Sequence, residues 1–229
     1  GPTVRGSTPN MSENHMDKEM SSHAKDRFHG KTIVITGGAG DFGKNCGMRM
    51  ASEGANVALL DIFQDKMEEA AEEVRGVAIG NSKVMVAKAD VTDPEAVAEA
   101  FKKVSAEFGD IHFVFNNAGY QGDLAQVQNY DAEDFQRVLN INVFGVFNVL
   151  KAASNHMIER GIKGSIVNTA SKAATNCPPN MPAYAASKGA VWSFSQSSAK
   201  DLAPHGIRVN SLSPAFIGPG FMWTRQTEL

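Results

Sequence analysis

Tyr184 and Lys188 stand four residues apart in Tyr184-Ala185-Ala186-Ser187-Lys188, and Ser171 lies thirteen residues before the tyrosine. On a helix, positions i and i+4 stack on one face, which would place a phenol beside an ammonium. A phenol titrates at about 10 when unperturbed and is a poor base at neutral pH, but a nearby cation favours the phenolate. The chemistry that follows is proton transfer to or from a small oxygen, with its rate in the deprotonating direction rising with pH. A tyrosine and a lysine on a solvated helix face produce the same spacing by chance, so the pair acquires weight only from its company.

The first companion is a glycine turn. Thr36-Gly37-Gly38-Ala39-Gly40-Asp41-Phe42-Gly43 contains G-x-G-x-x-G at Gly38, Gly40 and Gly43, between an apolar strand pattern and a helix pattern. Glycines let the backbone turn tightly and approach a pyrophosphate, whose charge then rests on the helix N-terminus. Asp61 follows eighteen residues after Gly43. A carboxylate there accepts both ribose hydroxyls of an adenosine and repels a 2'-phosphate, favouring NAD over NADP. Two other motifs compete with this reading. Gly38 to Lys44 also reads G-x-x-x-x-G-K, but Asn45 stands where a phosphate loop needs a hydroxyl for magnesium, so Lys44 reads as an exposed residue of the first helical turn. Ser197-Ser198-Ala199-Lys200 matches S-x-x-K without the other elements of a serine-lysine acylating enzyme, and a solvated helix end accounts for it.

The elements that must position these residues alternate in type. Strand patterns at Ile33–Ile35, Val57–Leu60, Val84–Ala87, Ile111–Phe115, Gly164–Ala170 and Ile207–Leu212 are separated by helix patterns. The helices are expected at Asn45–Glu53, Asp65–Val74, Glu95–Phe108 (with Asp93 as cap and Pro94 behind it), Asp131–Glu159 and Pro182–Leu202. Strict alternation implies a parallel sheet with helices on both faces and ligands beyond the carboxyl ends of the strands.

With 229 residues, 42% hydrophobic and a formal net charge of -3, the chain suits one globular α/β domain, and nothing in its charge calls for nucleic acid or an anionic membrane. No apolar run is long enough to span a bilayer. Cys46 and Cys177 have neither metal nor redox spacing, which suits a reducing, cytoplasmic setting. Residues 1–27 read as a flexible polar leader and 28–229 as a single domain. Gly1-Pro2 is a candidate expression scar, with Met11, Met16 and Met20 as candidate native starts. His15, His23 and His29 lack ligand spacing and read as solvated, so no metal is expected.

Taken together, these residues resemble the short-chain dehydrogenase/reductase family in its compact branch, from about Lys31 to Pro214. The signposts occur in order: Thr36 to Gly43, Asp61, Asp90, Asn116-Asn117-Ala118-Gly119, Asn142, Ser171, then Tyr184 with Lys188. The resemblance implies a Rossmann-type sheet of order 3-2-1-4-5-6 and NAD(H)-dependent hydride transfer between nicotinamide and a secondary alcohol or ketone, a polyol or hydroxy acid before a 3-oxoacyl or steroid carbonyl. It implies Tyr184 as general acid/base, Ser171 bonding the same substrate oxygen, Lys188 holding the nicotinamide ribose and lowering the tyrosine pKa, and Asn142 holding a proton-carrying water chain. Cofactor contacts would fall to Gly37, Gly38, Gly40, Asp41, Phe42 and Gly43, to Asp61, to Asp90 and Val91 at the adenine, to Asn117, Ala118 and Gly119, and to Pro214 and Ile217. A non-catalytic dinucleotide sensor is the rival of another class, and it would need no proton donor.

Two departures matter. Asp41 stands where short members often place the middle glycine, and Pro214-Ala215-Phe216-Ile217 replaces the usual Pro-Gly and later threonine near the nicotinamide. The family continues with a substrate-covering helix and a seventh strand where this chain stops at Leu229, so a truncated chain with an unpaired sixth strand is expected, and a homo-oligomer, dimer or tetramer, if the chain is complete.

Overall fold

In the computed structural model, which describes residues 26–215, Thr32–Thr36 forms β1 with all five residues buried. Every one of them is β-branched, which suits a pleated, fully covered strand better than a helix. The other strands are β2 (Asn56–Asp61), β3 (Val84–Lys88), β4 (Phe113–Asn116), β5 (Ser165–Thr169) and β6 (Arg208–Leu212). All pair in parallel in the order β3-β2-β1-β4-β5-β6. The order reverses between β1 and β4, so the crevice for a ligand opens at their carboxyl ends.

Alternation along the strands sorts the core onto two faces. Val34, Ala58, Leu60, Val114 and Ile166 pack with Phe101, Val149 and Met157 on one side. Ile33, Ile35, Val57 and Leu59 pack with Ala51, Ala71 and Val74 on the other. The helices are α1 (Asp41–Ala51), α2 (Gln64–Val77), α3 (Pro94–Phe108), α4 (Ala132–Leu139), α5 (Val146–Glu159), α6 (Ala173–Asn176) and α7 (Pro182–Leu202). As expected, the Asp93 carboxylate caps α3 by accepting from the N–H groups of Glu95 and Ala96.

Four differences from the sequence pattern have physical causes. Helix α1 begins at Asp41, four residues earlier than the pattern suggested, because Gly40 serves as an extended N-cap with no side-chain oxygen to advertise it. Strand β4 begins at Phe113: Ile111 donates its N–H to His156 Nε2 at 3.1 Å instead of to the ladder. The long helix expected from Asp131 is interrupted between α4 and α5 by a π-helical segment, Asn140–Gly145. And Arg27, assigned to the leader, is ion-paired at 2.6 Å with Glu53, a carboxylate only 4% exposed. The leader's candidate start residues, His15 and His23 lie outside the described residues. Among the described residues β6 pairs only with β5, and no helix is long and apolar enough to cross a membrane.

Candidate active site

Proline at the first position of α7 starts the helix that carries Tyr184 and Lys188. Both are buried, at 8% and 2% exposure, and the ammonium lies 5.6 Å from the phenol ring centre. Lys188 Nζ donates to the carbonyl of Thr169, the last residue of β5, at 2.7 Å. Ser171 follows two residues later, also buried. Its hydroxyl accepts from Ala173 N–H at 3.1 Å and lies near enough to the Tyr184 phenol to favour its ionised form. Strand end and helix start thus meet across the loop, as the spacing suggested.

The electrostatics differ from expectation. Burial pushes the Tyr184 phenol above its ordinary value, and only the Ser171 hydroxyl pulls it back. Burial also depresses the Lys188 ammonium, to about 8. In the ligand-free protein, therefore, lysine does not lower the tyrosine: its charge is directed to the Thr169 carbonyl, and desolvation dominates both groups.

Asn142 occupies the π-helical segment and is fully buried. A π turn inserts one extra residue into the helical ladder and is frequent where a side chain must be aimed at a site. Its Oδ1 accepts from the Tyr120 N–H at 2.7 Å, while Nδ2 donates to the Tyr120 carbonyl at 2.8 Å and to Ser187 Oγ at 3.0 Å. Ser187 in turn donates to the Tyr184 carbonyl at 2.8 Å. Both amide hydrogens of Asn142 are committed to protein atoms, so its evident work is to tie the strip after β4 to the tyrosine helix. Gly119 completes the contact: a Cβ there would lie 3.3 Å from Asn142 Oδ1 and 3.5 Å from Lys188 Nζ.

The run after β4 braces the sheet. Thr36 Oγ1 accepts from the N–H groups of Asn117 and Ala118 at 2.9 and 3.1 Å. Asn116 Nδ2 donates to the Val146 carbonyl and to Asn168 Oδ1, and Asn168 Nδ2 donates to Ser195 Oγ at 2.9 Å. This buried ladder links β1, β4, β5, α5 and α7. Thr36, Ser187 and Ser195 had no assigned role in the sequence; the first two sat inside quoted motifs, where a hydroxyl among small residues was the available signal.

On the β1 side the shape is carried by backbone. Gly37 has φ +65°, and a Cβ there would come to 3.0 Å from Ala118 Cα. A Cβ on Gly43 would sit 2.4 Å from the Gly37 carbonyl oxygen, so α1 can approach the turn this closely only with glycine. Gly40 is different. Its nearest protein atom to an added Cβ is the Gly37 oxygen at 3.5 Å, so the room beside it is not required by the protein's own packing and fits a bound pyrophosphate at the α1 N-terminus. Asp61, at the end of β2, accepts from Ala39 N–H at 3.2 Å and from Ile62 N–H at 2.8 Å, which sets its carboxylate on the same turn. Phe42 lies edge-on to Phe115 with ring centres 5.2 Å apart. Asp41 is exposed.

Lys44 is not the simply exposed residue the sequence suggested. It pairs with Glu73 of α2 at 2.8 Å, and Asn45 donates to the Asp41 carbonyl at 2.8 Å, so neither faces the turn as a phosphate-loop pair would. Ser197 and Lys200 are exposed on α7. Asp90 is exposed and folds onto Thr92 by accepting its N–H and hydroxyl, while Val91 is buried and offers its carbonyl to Asn148 Nδ2 at 2.9 Å. Pro214 accepts from Lys172 N–H at 2.8 Å. Ile217 lies outside the described residues.

A family model for short chain dehydrogenases matches residues 31–228, nearly the whole of this arrangement and its flanks. The chain belongs to the short-chain dehydrogenase family. This short-chain dehydrogenase is 34% identical over 196 residues to L-2,3-butanediol dehydrogenase of Corynebacterium glutamicum, covering 84% of this chain and 74% of that one. It is 36% identical over 199 residues to 3-hydroxyacyl-CoA dehydrogenase type-2 of Homo sapiens, covering 82% and 74%. Among solved structures, an NAD+-bound xylitol dehydrogenase superposes with a TM-score of 0.85 at 48% identity, covering 89% of this chain and 76% of that one. The Rossmann-type sheet and the oxidoreductase class are thereby established for this short-chain dehydrogenase; the relatives' substrates differ too widely to be read across.

Proposed function

We propose that residues 28–229 act as one catalytic unit that transfers a hydride between NAD and a secondary alcohol or ketone, with a polyol or hydroxy acid as the substrate class. The observation that carries this reading is the buried meeting of Ser171, Tyr184 and Lys188 at the carboxyl edge of the sheet. The dinucleotide, when bound, supplies the hydride acceptor or donor. Tyr184 takes the substrate hydroxyl proton in oxidation and returns it in reduction. Ser171 donates to the same oxygen and positions it. Lys188 offers its ammonium to ribose hydroxyls, and Asn142 holds the Tyr120 strip and the α7 turn in register around them.

Gly37, Gly38, Gly40 and Gly43 with the first turn of α1 hold the phosphates, and Asp61 selects NAD over NADP because a 2'-phosphate would meet its carboxylate. Asp90, Val91, Asn117 to Gly119 and Pro214 flank the remaining length of the dinucleotide. A dinucleotide sensor needs no proton donor, and the Ser171 hydroxyl near a buried phenol argues against one. Phe144, Phe147 and Trp192, all large and exposed on or beside α5 and α7, support assembly as a homo-oligomer, dimer or tetramer, and the cytoplasm suits two free cysteines. The test is NADH absorbance on a panel of secondary alcohols and ketones: turnover on that panel is expected, and a protein that binds NAD but turns over none of them would overturn the reading.

A further inference from the structure

From Gly119 to Leu124 the chain crosses the candidate active site. Gly119 abuts Asn142 Oδ1 and Lys188 Nζ, Tyr120 exchanges two backbone hydrogen bonds with Asn142, and Leu124 packs against Ala173, Met181 and Tyr184. Between them sits Gln121. It is 1% exposed, and neither its carboxamide oxygen nor its nitrogen has a hydrogen-bond partner. Buried amides are almost always satisfied, because the water they give up must be replaced.

The strip cannot easily relieve this by shifting. Asp134 of α4 accepts from the Tyr120 hydroxyl at 3.1 Å, from the Tyr130 hydroxyl at 2.8 Å and from the Asp123 N–H at 2.8 Å, so the chain is held on both sides of Gln121. Burial works against the Asp134 charge, yet those three donors, with Arg137, keep its carboxyl below the usual range. Arg137 also stacks on the Tyr120 ring at 4.7 Å. Gly122 reinforces the constraint, since a Cβ there would meet Val138 Cγ2 at 2.4 Å. A polar side chain kept buried and unpaired in a braced loop, whose two ends reach Lys188 and Tyr184, has the character of a group awaiting a ligand.

We propose that Gln121 is the specificity-determining residue for a hydroxyl adjacent to the reacting carbon, and that the substrate class is therefore a vicinal diol or polyol. The inference rests on the hydride-transfer reading above and narrows it. A carboxamide offers an acceptor oxygen and donor hydrogens, and a hydroxyl both donates and accepts, so successive hydroxyls of a polyol can satisfy both ends. A carboxylate only accepts, so it could take the amide hydrogens but would leave the amide oxygen unpaired, which disfavours a hydroxy acid. An acyl chain or steroid would leave both ends unpaired. Tyr184 and Ser171 take the oxygen that becomes the carbonyl, and Gln121 takes its neighbour.

The test uses 2,3-butanediol and 2-butanol, which differ by one hydroxyl on the same carbon skeleton. With NAD, the native protein is expected to favour the diol in kcat/KM, and Gln121→Met, apolar at matched length, to collapse that ratio by about 10- to 100-fold, the range of one buried hydrogen bond. A ratio unmoved by Gln121→Met overturns the proposal. Should the variant not fold, the native ratio decides alone, and a value near one overturns it equally. Oxidation of both alcohols without preference sinks only this inference, whereas oxidation of neither, nor of any other secondary alcohol, sinks the hydride-transfer reading with it.

Discussion

At the β1 end of the sheet the carboxyl edge is made largely of backbone, whereas at the β5 end it is made of buried side chains. Around Gly37 to Gly43 the close approaches are mostly to main-chain atoms, such as that of the Gly43 Cβ position to the Gly37 oxygen, with Leu59 Cβ and Asn117 Nδ2 the side-chain exceptions, and the acidic groups Asp41 and Asp61 are exposed or half-buried. Around Tyr184 the contacts are hydroxyl, amide, phenol and ammonium, all under 9% exposed. On the function proposed above, the first region would recognise by shape and fixed N–H dipoles, which tolerate water; the second sets proton affinities by desolvation, which water would undo. Steric changes should therefore damage the first most, and isosteric removals of single atoms the second.

The largest effect should come from the smallest change. Tyr184→Phe removes one oxygen from a buried site and should lower kcat by about 10²- to 10⁴-fold, the usual worth of a positioned acid/base. Dinucleotide affinity, measured by fluorescence titration, should stay within a few-fold. Comparable turnover in the variant would remove tyrosine from the mechanism and erase the contrast between the two regions.

Next in size are two glycines that look alike in sequence and differ in surroundings. Gly43→Ala forces the Gly37 carbonyl to move, so both dinucleotide affinity and Tm should fall, affinity by about 10- to 100-fold for a loss of roughly 1.4 to 2.8 kcal/mol. Gly40→Ala meets no protein atom closer than 3.5 Å and should weaken dinucleotide binding with little loss of Tm. Equal Tm changes for the two would show that the open side of Gly40 is not reserved for a ligand. Smaller again is the Asp61→Ala effect: the kcat/KM ratio of NAD to NADP should shift toward NADP by about 10-fold, as expected when a like-charge contact is relieved at a half-exposed site. A native preference for NADP would reverse the assignment.

The same contrast explains what could be read from the sequence. The strand order comes from the family resemblance, but the alternation of strands and helices, the Asp93-Pro94 helix start and the Pro182–Leu202 span all follow from local pattern: β-branched runs, a capping side chain before proline, and long helical periodicity. So does the proximity of Ser171, Tyr184 and Lys188, since a strand end and a helix face are set by spacing. The start of α1 was hidden because Gly40 caps with backbone alone. The π-helical segment around Asn142 was hidden because one extra residue per turn hardly disturbs an apolar pattern. Nor does an i,i+4 spacing reveal how dry the pair is, and it is dryness that turns the expected lowering of the tyrosine into a raising. Gln121 carried no signal at all; it is notable only because the fold buries it and gives it no partner.

The final prediction concerns the cost of that dryness, through Lys188. Its ammonium titrates at about 8 in the folded protein against the ordinary 10.5. At pH 7 the group is protonated in both states, and folding bears the full cost of burying a cation. Between about pH 8 and pH 10.5 the folded protein has shed the proton while the unfolded chain retains it, so the unfolded state binds more protons and stability rises with pH. Tyr184 acts in the opposite sense but only above its ordinary value of 10.0, since burial raises it. The window from pH 8 to 10 therefore excludes Tyr184, and the Cys46 thiol, which burial raises from 9.0 to about 11, lowers stability there equally in both proteins and cancels in their difference. Across it, the native protein should gain on Lys188→Met by up to roughly 2 to 3 kcal/mol, or several degrees in Tm for a chain of this size. Thermal melts of both proteins at pH 7, 8, 9 and 10 provide the measurement. The offset between them at pH 7 is uninformative, because methionine also loses the bond to the Thr169 carbonyl; the decisive quantity is the slope of their difference. Parallel curves would mean that water reaches Lys188, and the distinction between a wet, backbone-built β1 end and a dry, side-chain-built β5 end would then lose its strongest electrostatic support.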